Sequence, residues 1–209
     1  MNQPHLPPGT QIERPAVGEP QQLLLLLLAA GQPADLLAPL ALALRRQFSQ
    51  AAIVTLPAAD DLTQAEDWVR AAQVAMGVTQ PATALFGFGL GAQVALALVH
   101  RHDGLAGRVV AFGGDYPLPP ESAPIQTTLH WLHGGADPEV PPARVLVHLE
   151  RLAELGADAT LDVADGVGRE LAGVLIDEAL RRLRGHVPAR TWREALGGGG
   201  GRAAADEAS

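Results

Sequence analysis

The chain has 209 residues, of which 47% are apolar, and a formal net charge of −8. The length suits one sizeable α/β core, and the negative charge argues against nucleic acid or an anionic membrane surface as the main partner. The chain has no cysteine and its basic residues are all arginine, which excludes disulfides, thiolate metal sites, a cysteine nucleophile and a lysine Schiff base.

Residues 1–20 are rich in proline and predict an extended, weakly ordered N-terminal arm. Apolar strands then alternate with amphipathic helices over residues 21–196. Strands are expected at 22–29, 52–56, 83–88, 108–112, 127–132 and 159–163, and helices at 34–47, 63–76, 90–102, 141–155, 169–184 and 187–196. This alternation indicates one α/β domain with a mostly parallel, doubly wound sheet. Residues 197–209 predict a disordered tail.

The apolar run that starts at Leu23 has two interpretations. It resembles the hydrophobic region of a signal peptide, but the residues before it carry Glu13, Arg14 and Glu19 where a signal peptide has a basic cluster. Eight apolar residues also cannot span a bilayer. We expect a buried parallel strand.

The stretch from Thr83 to Leu96 predicts a strand, a very tight turn and a helix. Glycines at 87, 89 and 91 surround the turn, as in the G-x-S-x-G nucleophile elbow. The central residue is Gly89, which adopts a positive φ freely and carries nothing to attack with. A plain glycine-rich turn is the alternative, and a dinucleotide-binding fingerprint fits less well because its glycine spacing is wrong.

Two further loops follow strands and should lie at the same edge of the sheet, where ligands bind in such folds. The first presents Asp137, which can orient a histidine or simply close a turn before a helix. The second spans residues 165–171 and contains Arg169 where the chain order nucleophile, acid, base would place a histidine. His133 is the histidine expected nearest to this edge, either as a buried strand residue or as a ligand contact. No pair of histidine and carboxylate residues has the spacing of a metal site.

Together the segments 84–91, 104–114, 129–138 and 187–196 resemble the phospholipase/carboxylesterase family of α/β-hydrolases, which includes acyl-protein thioesterases and small bacterial serine esterases. The resemblance covers about residues 22–196. It implies a three-layer α/β-hydrolase fold. It also implies that Gly89 stands at the position of the nucleophilic serine, Asp137 at that of the acid and Arg169 at that of the base histidine.

The family pattern is altered at most of these positions. Gly89 cannot form an acyl-enzyme, and Arg169 stays protonated, so it cannot act as a general base and should instead pair with Asp137 or Glu170. The family's His-Gly after the first strand becomes Ala30 and Gly31, and the connection to the helix that contains Trp68 is shortened, which predicts the loss of part of the acyl-binding wall.

What remains is an anion-binding corner at a helix N-terminus, formed by the backbone N–H of Leu90 together with that of Gln32. A pocket there would be lined by Phe88, Leu90 and the loop at Gly31.

The resemblance and these losses predict a catalytically inactive bacterial, cytoplasmic member of the family that binds a small acyl or anionic ligand without a cofactor. The alternative is an active carboxylesterase or thioesterase that uses a site not recognised in the sequence. A purely structural role, as a homo-oligomer or beside another subunit, is the third hypothesis.

Overall fold

The leucine run forms an inner strand of the sheet. Strand β2 (Gln22–Leu27) pairs in parallel with β3 (Ala51–Leu56) on one side and with β4 (Thr83–Phe88) on the other. Alternate leucines of β2 face opposite layers: Leu23 and Leu25 pack in one core, and Leu24 and Leu26 in the other. Because both faces are covered, every core position of the strand is apolar, and the expected buried strand is confirmed.

The computed structural model describes residues 5–188 and Thr191. Besides β2, β3 and β4, the strands are β1 (Gln11–Glu13), β5 (Arg108–Phe112), β6 (Thr128–Gly134) and β7 (Asp158–Ala164). Within the described residues, these seven strands form one sheet in the order β1-β3-β2-β4-β5-β6-β7. The helices are α1 (Ala38–Gln47), α2 (Leu62–Met76), α3 (Leu90–Arg101), α4 (Pro142–Glu154) and α5 (Gly173–Gly185). The predicted tail and nearly all of the predicted helix at 187–196 lie outside the described residues.

The helices form a layer on each face of the sheet. Residues of α2, α3 and α4, such as Val69, Leu96 and Val145, share one core, and residues of α1 and α5, such as Leu44 and Leu175, share the other. This is the three-layer, mostly parallel architecture that the sequence predicts. No helix in the described part of the chain is both long and apolar enough to cross a bilayer.

Three features differ from the sequence prediction by more than two residues. Residues 11–13 of the N-terminal arm form an antiparallel edge strand against β3. Three mostly polar residues give no strand pattern from which this could be predicted. Helix α1 starts at Ala38 instead of residue 34, with Pro39 in its first turn, where proline is tolerated. Helix α5 starts at Gly173 instead of residue 169, after a loop in which Val167 accepts a hydrogen bond from the N–H of Ala136. Arg169 therefore lies in a loop.

Candidate functional site

Gly89 occupies a sharp elbow between β4 and α3. Its backbone has φ 54° and ψ −113°, a conformation that strains residues with a Cβ and that glycine tolerates. Its N–H donates to the carbonyl oxygen of Phe112 on the neighbouring strand at 2.8 Å. The elbow is therefore fixed to the sheet.

The flanking glycines allow the helix to lie directly on the strands. A Cβ on Gly87 would lie 2.2 Å from the carbonyl carbon of Gly91, and one on Gly91 would lie 2.4 Å from the carbonyl oxygen of Leu27. Both distances are far inside van der Waals contact with backbone atoms. The glycine spacing thus marks a close helix–strand approach, as the elbow interpretation predicts.

Asp137 lies in the loop after β6 and has two differently used oxygens. Its Oδ1 accepts hydrogen bonds from the backbone N–H groups of Glu139 at 2.8 Å and Val140 at 3.0 Å, which is the turn-closing role expected of an aspartate before a helix. Its Oδ2 is buried and has no hydrogen-bond partner among the described residues. The carboxylate therefore closes a turn and keeps one spare acceptor.

The loop after β7 is bonded to the loop that carries Asp137. The N–H of Gly135 donates to Ala164, and the N–H of Ala136 donates to Val167, both at 2.8 Å. Gly134 has no room for a side chain, since its Cβ would lie 2.2 Å from the carbonyl oxygen of Gly168. These contacts deliver the next residue, Arg169, to the edge of the sheet where Gly89 lies.

Arg169 fills the space in front of the elbow. Its Nη2 lies 3.2 Å, and its Nε 4.0 Å, from the position that a Cβ on Gly89 would take. Its Nη1 forms an ion pair with Glu139, so the expected pairing with Asp137 or Glu170 is wrong. The reason is burial: the Asp137 side chain is only 1% exposed, whereas that of Glu139 is 66% exposed and can reach the guanidinium at the surface.

Gln32 also borders the elbow, through its side chain. Its Oε1 accepts from the N–H of Ala29 and its Nε2 donates to the carbonyl oxygen of Phe88, both at 2.8 Å. The prediction that the backbone N–H of Gln32 helps to form the anion-binding corner is wrong, because this N–H donates to the carbonyl oxygen of Ala29 in a turn at 3.1 Å. The N–H of Leu90 belongs to the first turn of α3, where N–H groups have no intrahelical acceptor.

A cavity of about 420 Å³ starts beside the elbow and extends over the ends of β2 and β3. Its walls include Leu56, Trp68 and Leu90. Of the predicted lining, Leu90 is present and the loop at Gly31 contributes Ala29 and Ala30, whereas Phe88 is not part of the wall. The Phe88 ring instead packs toward the backbone on the far side of the elbow, 3.5 Å from the Cβ position of Gly113. The shortened connection after β3 therefore still borders a half-open, mainly apolar pocket.

One histidine borders this arrangement, since His133 Nε2 lies 3.7 Å from Asp137 Oδ2. His133 is fully buried and its Nε2 lies 2.5 Å from the carbonyl oxygen of Val140, so it is a strand histidine and not a ligand contact. His100 contacts Ser122 through Nε2 at 3.1 Å, a pair that their separation in sequence does not predict. The described residues include no group of histidine and acidic side chains suited to a metal ion.

The order of the strands, the elbow after β4 and the loops after β6 and β7 define an α/β-hydrolase fold. The family model for phospholipase/carboxylesterase proteins matches residues 48–186. The chain belongs to this family, and the resemblance inferred from the sequence is confirmed.

Individual relatives agree with this assignment. Esterase YpfH of Escherichia coli strain K12 is 40% identical over 131 residues, which are 63% of this chain and 56% of that protein. The crystal structure of esterase PE8 superimposes with a TM-score of 0.71 at 21% identity over 83% of this chain and 96% of PE8. The Bacillus cereus carboxylesterase gives 0.68 at 15% identity over 82% of this chain and 91% of that one. At these identities the two structures support the fold alone.

Proposed function

We propose that this chain is a non-hydrolytic member of the carboxylesterase family that binds a small acyl ligand. One observation carries the proposal: where the elbow presents a nucleophile in a serine hydrolase, this chain has Gly89, and the Arg169 guanidinium lies 3.2 Å from the place of the missing Cβ. An acyl-enzyme needs a side-chain nucleophile and a base that accepts its proton. Neither group is supplied at this elbow.

The binding part of the proposal rests on the cavity. A volume of about 420 Å³ lies within the usual range for small-molecule sites, and its wall is mainly apolar, with Leu56, Trp68 and Val94 among its members. Its position beside the elbow is where an acyl chain would extend. The cytoplasmic compartment and a homo-oligomeric state stay predictions.

An active esterase is the second candidate, and two observations favour it. The relative YpfH is named an esterase, and the Ser122–His100 contact pairs a hydroxyl with an imidazole. However, His100 Nδ1 is buried and has no partner among the described residues, so no carboxylate orients the ring. His100 also lies 11 residues along α3 from Gly89, which is a distance of roughly 16 Å at 1.5 Å per residue. It is therefore remote from the hydrogen-bond donors of the elbow.

The two candidates are separated by ester hydrolysis. We expect the natural chain to turn over a short-chain aryl ester no faster than the background, and the double variant Gly89→Ser/Arg169→His to gain measurable turnover. In that variant the new histidine would find its acceptor in Asp137 Oδ2, which is buried, has no hydrogen-bond partner among the described residues and lies 3.7 Å from His133 Nε2. Adding Asp137→Asn should then remove most of the gained activity, because the amide keeps an oxygen for the turn but cannot stabilise an imidazolium.

A control tests the second candidate directly. If the natural chain hydrolyses the ester and Ser122→Ala abolishes the activity, the non-hydrolytic proposal is wrong and the exposed Ser122–His100 pair is the active site. If Ser122→Ala changes nothing in an active natural chain, the proposal is also wrong, and the nucleophile lies elsewhere. Inactivity of the natural chain with activity of the double variant supports it.

A further inference from the structure

The guanidinium in front of the elbow has donors to spare. Arg169 uses Nη1 in its ion pair with Glu139, while its Nη2 and Nε lie 3.2 Å and 4.0 Å from the Cβ position of Gly89. These two nitrogens form one side of the guanidinium fork, the arrangement that binds a carboxylate through two parallel hydrogen bonds. Neither nitrogen donates a hydrogen bond to another residue in the described part of the chain.

Other donors converge on the same point. The first turn of α3 begins at Leu90 and directs free N–H groups and the positive end of the helix dipole toward the elbow. Gln32 Nε2 lies 3.9 Å from the Cβ position of Gly89. Gly89 places no side chain between these donors, and the next residue, Leu90, lines the cavity. An anion that enters this space would meet an arginine fork on one side and a helix N-terminus on the other.

We propose that this site binds the free carboxylate of an apolar monocarboxylic acid, with the head group on Arg169 and the chain in the cavity. The inference rests on the proposed function and adds that the ligand carries a negative charge. A serine esterase binds the neutral ester group at this place, whereas a fixed cation favours the ionised acid. The ligand is thus of the chemical class that the active relatives' reaction would release.

Acidic residues at the opposite end of the cavity limit which chemical group the ligand can have at the far end of its apolar part. Asp60 and Asp61 line the cavity at the start of α2, which follows β3, two strands away from β4 in the sheet. At about 4.8 Å per strand, this is roughly 10 Å from the elbow. A second carboxylate at the far end of a ligand would be repelled there, so the site should discriminate against dicarboxylates.

The test is titration calorimetry on the full chain at pH 7 with octanoate, suberate and octanol, which share their chain length. We expect octanoate to bind at least tenfold more tightly than suberate and octanol. Arg169→Gln should weaken octanoate by about tenfold to a hundredfold, the usual effect of losing hydrogen bonds to a charged group, and leave octanol unchanged. Arg151→Gln, which removes an exposed guanidinium paired with Glu154 near the end of α4, is the matched control and should leave octanoate binding unchanged.

A second variant tests the sign of the electrostatics. Glu139→Gln removes the carboxylate that competes for Arg169 and should tighten octanoate severalfold, a change that a merely structural role for Arg169 would not produce. Equal affinity for octanoate and octanol, or no effect of Arg169→Gln, overturns the carboxylate inference while the binding function survives. Failure of all three compounds to bind overturns the inference as well, and ester turnover by the natural chain would instead overturn the proposed function.

Discussion

Restoring a serine at the elbow should destabilise the fold, and the cost can be worked from the structure. The backbone at Gly89, with φ 54° and ψ −113°, costs a residue with a Cβ about 1–3 kcal/mol. The new Cβ would lie 3.2 Å from Arg169 Nη2, and displacing that side chain from its rotamer adds about 1 kcal/mol. We therefore expect Gly89→Ser to lower the free energy of unfolding by about 2–4 kcal/mol.

The same reasoning predicts a coupling between the two altered positions. Arg169→His alone removes an ion pair with an exposed glutamate, which is worth about 1 kcal/mol or less. Because histidine leaves room for the serine, the double variant should be more stable than the sum of the single effects by about 1 kcal/mol. Urea unfolding followed by circular dichroism measures all four free energies.

Gly77 supplies the matched control for backbone strain. It also has a positive φ, of 65°, but a Cβ there would meet nothing within 4 Å. Gly77→Ser should cost about 1–2 kcal/mol and show no coupling to Arg169→His. A Gly89→Ser variant as stable as the natural chain, or a zero coupling energy, would refute the assignment of both strain and contact at the elbow.

Three further predictions concern the stability of the folded chain. Gly91→Ala should unfold the domain or prevent its expression in soluble form, since the Cβ would lie 2.4 Å from the backbone oxygen of Leu27; gel filtration and circular dichroism detect this. Burial, with smaller charge effects, lowers the pKa of His130 to about 3. Below pH 6.5, therefore, His130 binds a proton in the unfolded chain but not in the folded chain. Stability should therefore fall as the pH drops from 6.5 toward 3, by at most about 1.4 kcal/mol per pH unit from this residue, and His130→Gln should flatten that slope in urea titrations. Asp115→Asn removes the buried charged acceptor of His148 and should cost about 1–3 kcal/mol, measured by thermal unfolding.

Each of these expectations has a result that contradicts it. A stable Gly91→Ala variant would mean that α3 can move away from β2. An unchanged pH slope in His130→Gln would mean that other groups account for acid sensitivity. An Asp115→Asn variant as stable as the natural chain would mean that the buried contact with His148 makes no net contribution to the free energy of unfolding.

Much of the fold follows from local pattern. The strand formed by the leucine run and the helices that follow β3 and β4 were predictable because buried parallel strands are continuously apolar and helices show their own periodicity. Residues 11–13 were not, because an edge strand of three residues derives its order from its neighbour β3 and not from its own side chains. The first turn predicted for α1 is wrong for a similar reason, since the N–H groups of Leu36 and Ala38 donate to Pro33 and Asp35 in separate turns before the helix.

The candidate site was predictable in position but not in its contacts. The glycine spacing and chain order bring Gly89, Asp137 and Arg169 to one edge of the sheet. The partner of Arg169 could not be predicted, because burial of Asp137 and exposure of Glu139 arise from the folded loop. The contribution of the Gln32 side chain likewise depends on how the loop after β2 folds back onto the carbonyl group of Phe88.

The central claim is that no acyl-enzyme forms on this chain, and intact-mass spectrometry after treatment with a fluorophosphonate probe tests it most directly. The Gly89→Ser/Arg169→His variant serves as the positive control and should gain the mass of one adduct. The account predicts that the natural chain keeps its mass under the same conditions. An adduct on the natural chain, at Ser122 or at any other residue, together with ester turnover, would contradict it.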